Sequence, residues 1–276
     1  MARMSLPTWY VCQGLADLMQ ANGVDDHDVG AMLDYSYQTI SNWRKGAGQP
    51  SKGDVREFFH HYGNGDEEAM LYMQQVVRSK KADHRELEAD PRFNALMLER
   101  ADRHYRRIIK WAPTVLPGTV QERAYHDLLQ EIEGTTDDVS EFGWTFKERR
   151  VTGIEARIDK YEMVMIIGDA AFLWLNHLSA AERSEQIEHL RYKNNLPGWN
   201  IGVMAQPHSL GGNFDLYLSQ GSLSAGPDFV FTEINDRSWC IEEQQRVRLY
   251  HDLTKPNRPR ATPLEEFLNA ERDRLA

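Results

Sequence analysis

Residues Asp26 to Pro50 read DHDVGAMLDYSYQTISNWRKGAGQP. Asp25 or Asp26 can cap a short helix carrying Val29, Met32 and Leu33, which ends at Asp34-Tyr35. After a tight turn, Ser36 starts a second helix with Ile40 and Trp43 on its apolar face. Gly46 and Gly48 stop it, with Pro50 behind. This is helix-turn-helix spacing. The apolar pair claims the inward face, so Ser36, Tyr37, Gln38, Thr39, Ser41, Asn42 and Arg44 are left for the other sides. Gln, Asn and Arg pair bidentately with base edges, and Ser or Thr reaches a base or a phosphate. The first residues of such a helix enter the major groove, which points to Tyr37, Gln38 and Thr39 as base readers, with Asn42 one turn further on. Arg44, Lys45 and Lys52 lie near the helix end and the next loop, where phosphate contacts are made.

Working outward, the first 80 or so residues read as five short helices. Leu15, Leu18 and Met19 fall at helical spacing before Asn22-Gly23. A fourth helix runs from about Gly53 to Tyr62, and Asp66-Glu67-Glu68 opens a fifth with acids where the helix dipole favours them. The polar stretch Ser79 to Pro91, SKKADHRELEADP, has no apolar periodicity and reads as a domain junction. From about 92 to 160 the pattern is read as helical throughout, with Tyr105 and Ile108 continuing it and breaks at Pro113 and Pro117-Gly118. Met163 to Ile167 is then a continuous apolar run with β-branched members, the pattern of a buried strand. Further strand-like runs are Asn200–Met204, Asn213–Leu218 and Asp228–Ile234, the last hairpinned to Trp239–Ile241. Helices are expected over 180–195, 243–253 and 262–275. The expected fold is α+β: an all-α domain over 1–82, then a larger domain over 83–276 with a small mixed sheet and surrounding helices.

Composition narrows the function. The 276 residues carry 32 Lys and Arg against 42 Asp and Glu, a formal charge of −10, which suits a nucleic-acid binder poorly at first sight. The acidity is uneven. Residues 1–85 hold nine basic and eleven acidic side chains, whereas 36–56 hold four basic residues against Asp54 alone. Phosphate affinity follows the charges within a Debye length, about 8–10 Å, more than the distant total. An acidic body with a locally basic reading element predicts weak non-specific binding and reliance on base contacts.

Two cysteines far apart, Cys12 and Cys240, argue against a zinc cluster or disulfide scaffold and fit a reducing cytoplasm. No secretory signal pattern opens the sequence. Met163 to Leu175, the longest apolar run, contains Asp169 and is too short to span a bilayer. His60-His61 point to different helix faces and His104 lacks a partner at metal spacing, so no metal is expected. Neither a phosphate-binding GxxxxGK[ST] nor a GxGxxG is present, and no cofactor is expected. Asp169 and Glu233, each beside a strand-like run, are the carboxylates to consider for acid–base work. A helix cap or an Arg partner accounts for such residues better, and no enzymatic role is expected. The basic run Arg100–Lys110 is read as a helix paired to Glu99 and Asp102.

The string YSYQTISNWRKGAGQP resembles the Cro/lambda-repressor, or XRE-type, helix-turn-helix. Ile40, Ser41, Gly46 and Pro50 match in place and Trp43 fills the apolar position. Asp26 stands where the family usually has Gln, Gly30 where it has Ala, and Arg44 where it has Glu. The remainder, about 90–275, is similar to the C-terminal domain of actinobacterial antitoxin-like transcriptional regulators. The similarity rests on LERADRHYRRIIKWAPTVLPGTVQERAYHDLL, on NFDLY, FVFTE and TPLEEFL in order, and on PGTVQE where that family has PGLLQT; Asp169 stands for its frequent Glu. The resemblance implies a five-helix lambda-repressor-like domain, DNA binding as a homodimer, and often a small partner protein encoded nearby. Together these readings lead to a cytoplasmic, sequence-specific transcriptional regulator acting on duplex DNA at a pseudo-palindromic operator. The other reading makes the C-terminal domain primary, as an antitoxin-like module that neutralises a partner protein and autoregulates its operon.

Overall fold

A computed structural model describes residues 4–79, 86–89, 91–157, 160–206, 211–234 and 237–271. Five helices come first: α1 (Leu6–Asn22), α2 (Asp26–Leu33), α3 (Tyr37–Arg44), α4 (Lys52–Tyr62) and α5 (Glu67–Ser79). Their ends follow from local chemistry. Ser5, Asp25, Ser36 and Ser51 each accept a backbone N–H at a helix start, and Gly23 closes α1 in the left-handed conformation. α1 begins well before the periodicity at Leu15 suggests, because Ser5 caps it and Pro7 sits in its first turn. Leu15, Val29, Ile40, Trp43, Val55, Phe58 and Met73 are all buried and make the common core of these helices.

The rest of the chain builds β1 (Glu86–Ala89), α6 (Pro91–His104), β2 (Arg107–Ala112), α7 (Arg123–Glu133), α8 (Asp137–Glu155), β3 (Glu162–Gly168), α9 (Ala180–Asn194), β4 (Trp199–Met204), β5 (Phe214–Leu218), β6 (Phe229–Ile234), β7 (Arg237–Ile241), α10 (Gln244–Thr254), β8 (Thr262–Pro263) and α11 (Leu264–Ala270). The sheet has eight strands in the order β1-β7-β6-β5-β2-β3-β4-β8. β2, β3 and β4 run parallel and the other pairings are antiparallel. One face, with Ile108, Met163, Met165, Tyr217 and Phe229, joins the same hydrophobic cluster as the N-terminal helices. The opposite face, with Ile109, Trp111, Val164 and Leu216, packs under Val247 and Tyr250 of α10. The fold is α+β, as the sequence pattern indicates.

Two sequence expectations are corrected here. Residues 92–160 are not all helical: α6 ends at His104, and Arg107–Ala112 is the central strand of the sheet, between β3 and β5. Lys110 and Arg107 hide its apolar character, yet Ile108, Ile109 and Trp111 are each 2% exposed or less. Lys110 is tolerated there because Asp215 on β5 pairs with it across the ladder. The polar stretch taken as a junction contributes Glu86–Ala89, an edge strand whose stabilising element is backbone pairing to β7, which leaves no hydrophobic pattern to read. Residues 80–85 and 90 of that stretch, and the end of the helix expected to 275, lie outside the described residues.

α1 is also seated against the sheet domain. The Trp9 indole N–H donates to the Ser224 carbonyl at 2.7 Å, and its ring meets Tyr105 edge-on at 5.3 Å. Arg100 of α6 lies over the Tyr10 ring at 3.9 Å and donates to the Tyr10 carbonyl, while Asp17 faces both Arg100 and His104 at 3.4 and 3.2 Å. Arg103 pairs with Glu99. Arg107 pairs with Glu162, so Arg100, Arg103, His104 and Arg107 all have partners inside the protein, while Arg106 is exposed.

Candidate nucleic-acid interface

α2 and α3 meet through a turn that leaves no spare space. Asp34 adopts the left-handed conformation at φ 59°, and the Tyr35 N–H returns to the Gly30 carbonyl at 2.8 Å. A Cβ on Gly30 would stand 2.7 Å from the Tyr35 carbonyl oxygen, so Gly at this crossing is a steric requirement. Tyr35 then packs edge-on to Trp43 at 5.1 Å and donates its hydroxyl to Asp54 of α4 at 3.3 Å. α3 is fixed at both ends: Ser36 Oγ accepts the Thr39 N–H, and Arg44 forks onto Asp26 of α2 with bonds of 2.5 and 2.6 Å. Asp26 is only 3% exposed. Hydrogen bonding to Asp26, set against partial burial, raises the Arg44 pKa.

The structure separates the candidate reading residues. Tyr37 is 46% exposed, Gln38 is exposed, and Asn42 is partly exposed one turn along the same face. The Gln38 amide donates to the Asn42 side-chain oxygen at 3.0 Å, so the two carboxamides form one continuous polar strip. Tyr37 is held by a stacking contact with His27 of α2, with ring centroids at 4.5 Å and an interplanar angle of 22°. Thr39 is half-buried and shares the Ser36 hydroxyl at 2.9 Å. Lys45, at the end of α3, and Lys52, at the start of α4, are exposed.

Three residues expected to touch DNA have other work. Ser41 is 2% exposed and lies inside, because the helix turns it toward the same side as Ile40. Ser36 uses its hydroxyl as the N-cap of α3. Arg44 is committed to Asp26, so the two positions that differ from the XRE-type pattern, 26 and 44, form one ion pair between the two helices. His27 was missed; its signal is an aromatic ring on α2 that lies on the N-terminal residue of α3. Asp25 and Asp28 form a capping box at the start of α2 and bring acid close to the same surface. Exposed Asp25 is held below the usual carboxylate range by backbone N–H groups of Asp28 and His27.

The sheet domain holds a second polar constellation. Arg150 of α8 donates to Asp102 of α6 at 2.6 Å and to the Tyr217 hydroxyl at 3.1 Å, and Tyr217 donates to Asp102 at 2.9 Å. Against the effect of burial, Asp102 raises the Arg150 pKa; burial and then Asp102 push the Tyr217 phenol well up. Of the two carboxylates considered for acid–base work, Asp169 opens a short 3-10 helix and accepts the Gln206 N–H at 3.3 Å, while Glu233 is exposed near the end of β6. They lie on different elements and share no hydrogen bond among the described residues. Among those residues no group of three or more His, Cys, Asp or Glu could hold a metal ion, both cysteines are buried and form no disulfide, and no helix is long and apolar enough to cross a membrane.

Residues 97–266 match the family described as Domain of unknown function (DUF5753). That span is more than half of the chain, which therefore belongs to this family. It contains β2 to β8 and the Arg150 constellation and excludes β1 and α1 to α5. No curated protein matches the chain. A solved structure titled "Structure of TrmBL2, an archaeal chromatin protein, shows a novel mode of DNA binding" is similar at 10% identity and a TM-score of 0.32, over 82% of this chain and 69% of that one. A likeness that low carries no argument about fold or function.

Proposed function

We propose that this DUF5753 protein is a sequence-specific, DNA-binding transcriptional regulator of the XRE type, built from a reading domain over 1–82 and a larger domain over 83–276. The observation that carries the reading is the outward face of α3. Tyr37, Gln38 and Asn42 form an exposed strip with both carboxamide chemistries that recognise adenine in the major groove. Everything around that strip is built to hold it still: the Ser36 cap, the Gly30 crossing and the Arg44–Asp26 fork. Thr39 stands at the rim, and Lys45 and Lys52 are placed for phosphates.

One such module contacts only a few base pairs. A two-fold homodimer doubles them and places half-sites about one helical turn apart, which makes the operator pseudo-palindromic. The protein works in the cytoplasm as a binder and not as an enzyme, without metal or cofactor. The test is selection of duplexes from a randomised library by the purified full chain. The expected product is a two-fold motif with one-turn spacing; recovery of random sequence would end the reading. The antitoxin-like alternative is favoured by Ile132 and Val139, 54% and 51% exposed on either side of the α7–α8 turn, where an apolar protein surface could be covered. Co-purification of a small protein encoded nearby, lost on Ile132→Asp, supports that role for the C-terminal domain.

A further inference from the structure

The connection that leaves β2 crosses the top of the sheet. Its carbonyl at Pro113 comes so near Gly168, the last residue of β3, that a Cβ there would lie 2.2 Å away. Trp174 holds the same connection by donating to the Thr114 carbonyl at 2.8 Å. From β2 the chain goes to β3 on one side, while β5 returns to pair on the other. The connection therefore lies at the carboxyl ends of the parallel strands β2 and β3, the edge of open parallel sheets on which ligands bind.

Lys147 of α8 sits over this connection, its stem packed on Gly118. Its Nζ donates to Gln121 Oε1 at 2.5 Å and to His126 Nδ1 at 2.7 Å, and among the described residues no carboxylate lies within ion-pair distance. His126 is 1% exposed, and its Nε2 donates to the Ser140 carbonyl at 2.9 Å, which leaves Nδ1 as a free base facing the amine. Gln121 is oriented in turn by donating to the Leu116 carbonyl at 2.6 Å. Between Gly118 and Gln121, Thr119 is 2% exposed with a hydroxyl that has no hydrogen-bond partner among the described residues. An amine, a base at hydrogen-bond distance and a third group orienting that base are the parts of an activated nucleophile.

We propose that Lys147 is a reactive amine that condenses with a small aldehyde or ketone, giving the C-terminal domain a covalent sensing site. The Lys147 ammonium passes one proton to His126 Nδ1, and the freed electron pair bonds to the carbonyl carbon. The two protons left on the nitrogen move to the carbonyl oxygen, which leaves as water, and a carbon–nitrogen double bond remains. Burial lowers the Lys147 pKa to about 8, against the pull of Glu133, so roughly a tenth of the amine is neutral at pH 7. Burial, then Lys147 itself, lowers the His126 pKa and keeps its Nδ1 free to accept. The site stands independently of DNA binding.

The test treats native full-length protein near neutral pH with propionaldehyde and cyanoborohydride, which fixes imines as secondary amines, and maps modified lysines by mass. Lys147 is expected to react about tenfold faster than exposed Lys45 and Lys52, a preference lost in urea. His126→Ala should slow Lys147 and leave Lys45 unchanged. Equal or slower labelling of Lys147 than of Lys45 in the native wild-type chain overturns the proposal, whether or not the variant folds. Stabilisation by inorganic phosphate without imine formation overturns it as well, and makes the cluster an oxyanion site.

Discussion

Each half of the molecule closes a guanidinium on a carboxylate, and the surroundings of the two pairs differ. Beside the outward face of α3, Arg44 keeps 41% of its side chain exposed while Asp26 beneath it is buried at 2%. In the sheet domain, Arg150 is 10% exposed and Asp102 fully buried, and the Tyr217 hydroxyl closes the triangle. The first pair has water available if it opens. The second does not. An exposed guanidinium can be rehydrated at modest cost, whereas a buried one left unpaired retains its full desolvation penalty. The Arg44 fork therefore works mainly as a positioning device for α3, and the Arg150 triangle as an internal joint tying α6 and α8 to β5.

The largest effect expected from this contrast is at Asp102. Asp102→Ala strands Arg150 and the Tyr217 hydroxyl together and should lower unfolding stability by about 3–5 kcal/mol, measured by urea titration. Asp26→Ala should cost less, about 1–2 kcal/mol, because Arg44 turns outward to water. Its operator affinity should fall by more than its stability, since α3 loses its brace. If Asp26→Ala destabilises as much as Asp102→Ala, the distinction between positioning pair and internal joint is wrong.

A smaller effect sharpens the comparison from the side of a cation with no acid partner among the described residues. Lys147 has a folded-state pKa of about 8 against an ordinary 10.5. Between those values the unfolded chain binds more protons than the native one, so this residue makes stability rise as pH increases from about 8 to 10.5. Below pH 8 its cost is fully present. Lys147→Met should stabilise the protein by about 1–2 kcal/mol at neutral pH and erase that part of the rise. The difference between wild-type and variant unfolding curves across pH isolates the residue from other titrating groups.

The two regions also differ in how far they can be read from sequence. Ser36, Ile40, Trp43 and Gly46 lie within one short string, and the helix-turn-helix follows from their spacing. The same string names Gln38 and Asn42. It cannot show that Ser41 turns inward or that Arg44 is taken by Asp26, eighteen positions away, because residue type alone does not say which polar side chain has an internal partner. The sheet domain is harder. β2 carries Arg107 and Lys110 beside Ile108 and Ile109, and only the pairing of Lys110 with Asp215, over a hundred positions on, makes a buried lysine compatible with a central strand. β1 is held by ladder hydrogen bonds, which have no composition signature. The Lys147, His126 and Gln121 contacts likewise join α7, α8 and the β2 connection, and no local pattern announces them.

The central claim is that the outward strip of α3 reads bases while Lys45 beside it holds phosphate. The direct test measures affinity across a salt series for wild-type, Gln38→Ala and Lys45→Ala, on the selected operator and on random duplex. Gln38→Ala should cost about 1–3 kcal/mol on the operator, relax one base position and leave random duplex unchanged. Lys45→Ala should weaken both duplexes alike and reduce the salt slope by about one. Unchanged operator affinity in both variants would contradict the account.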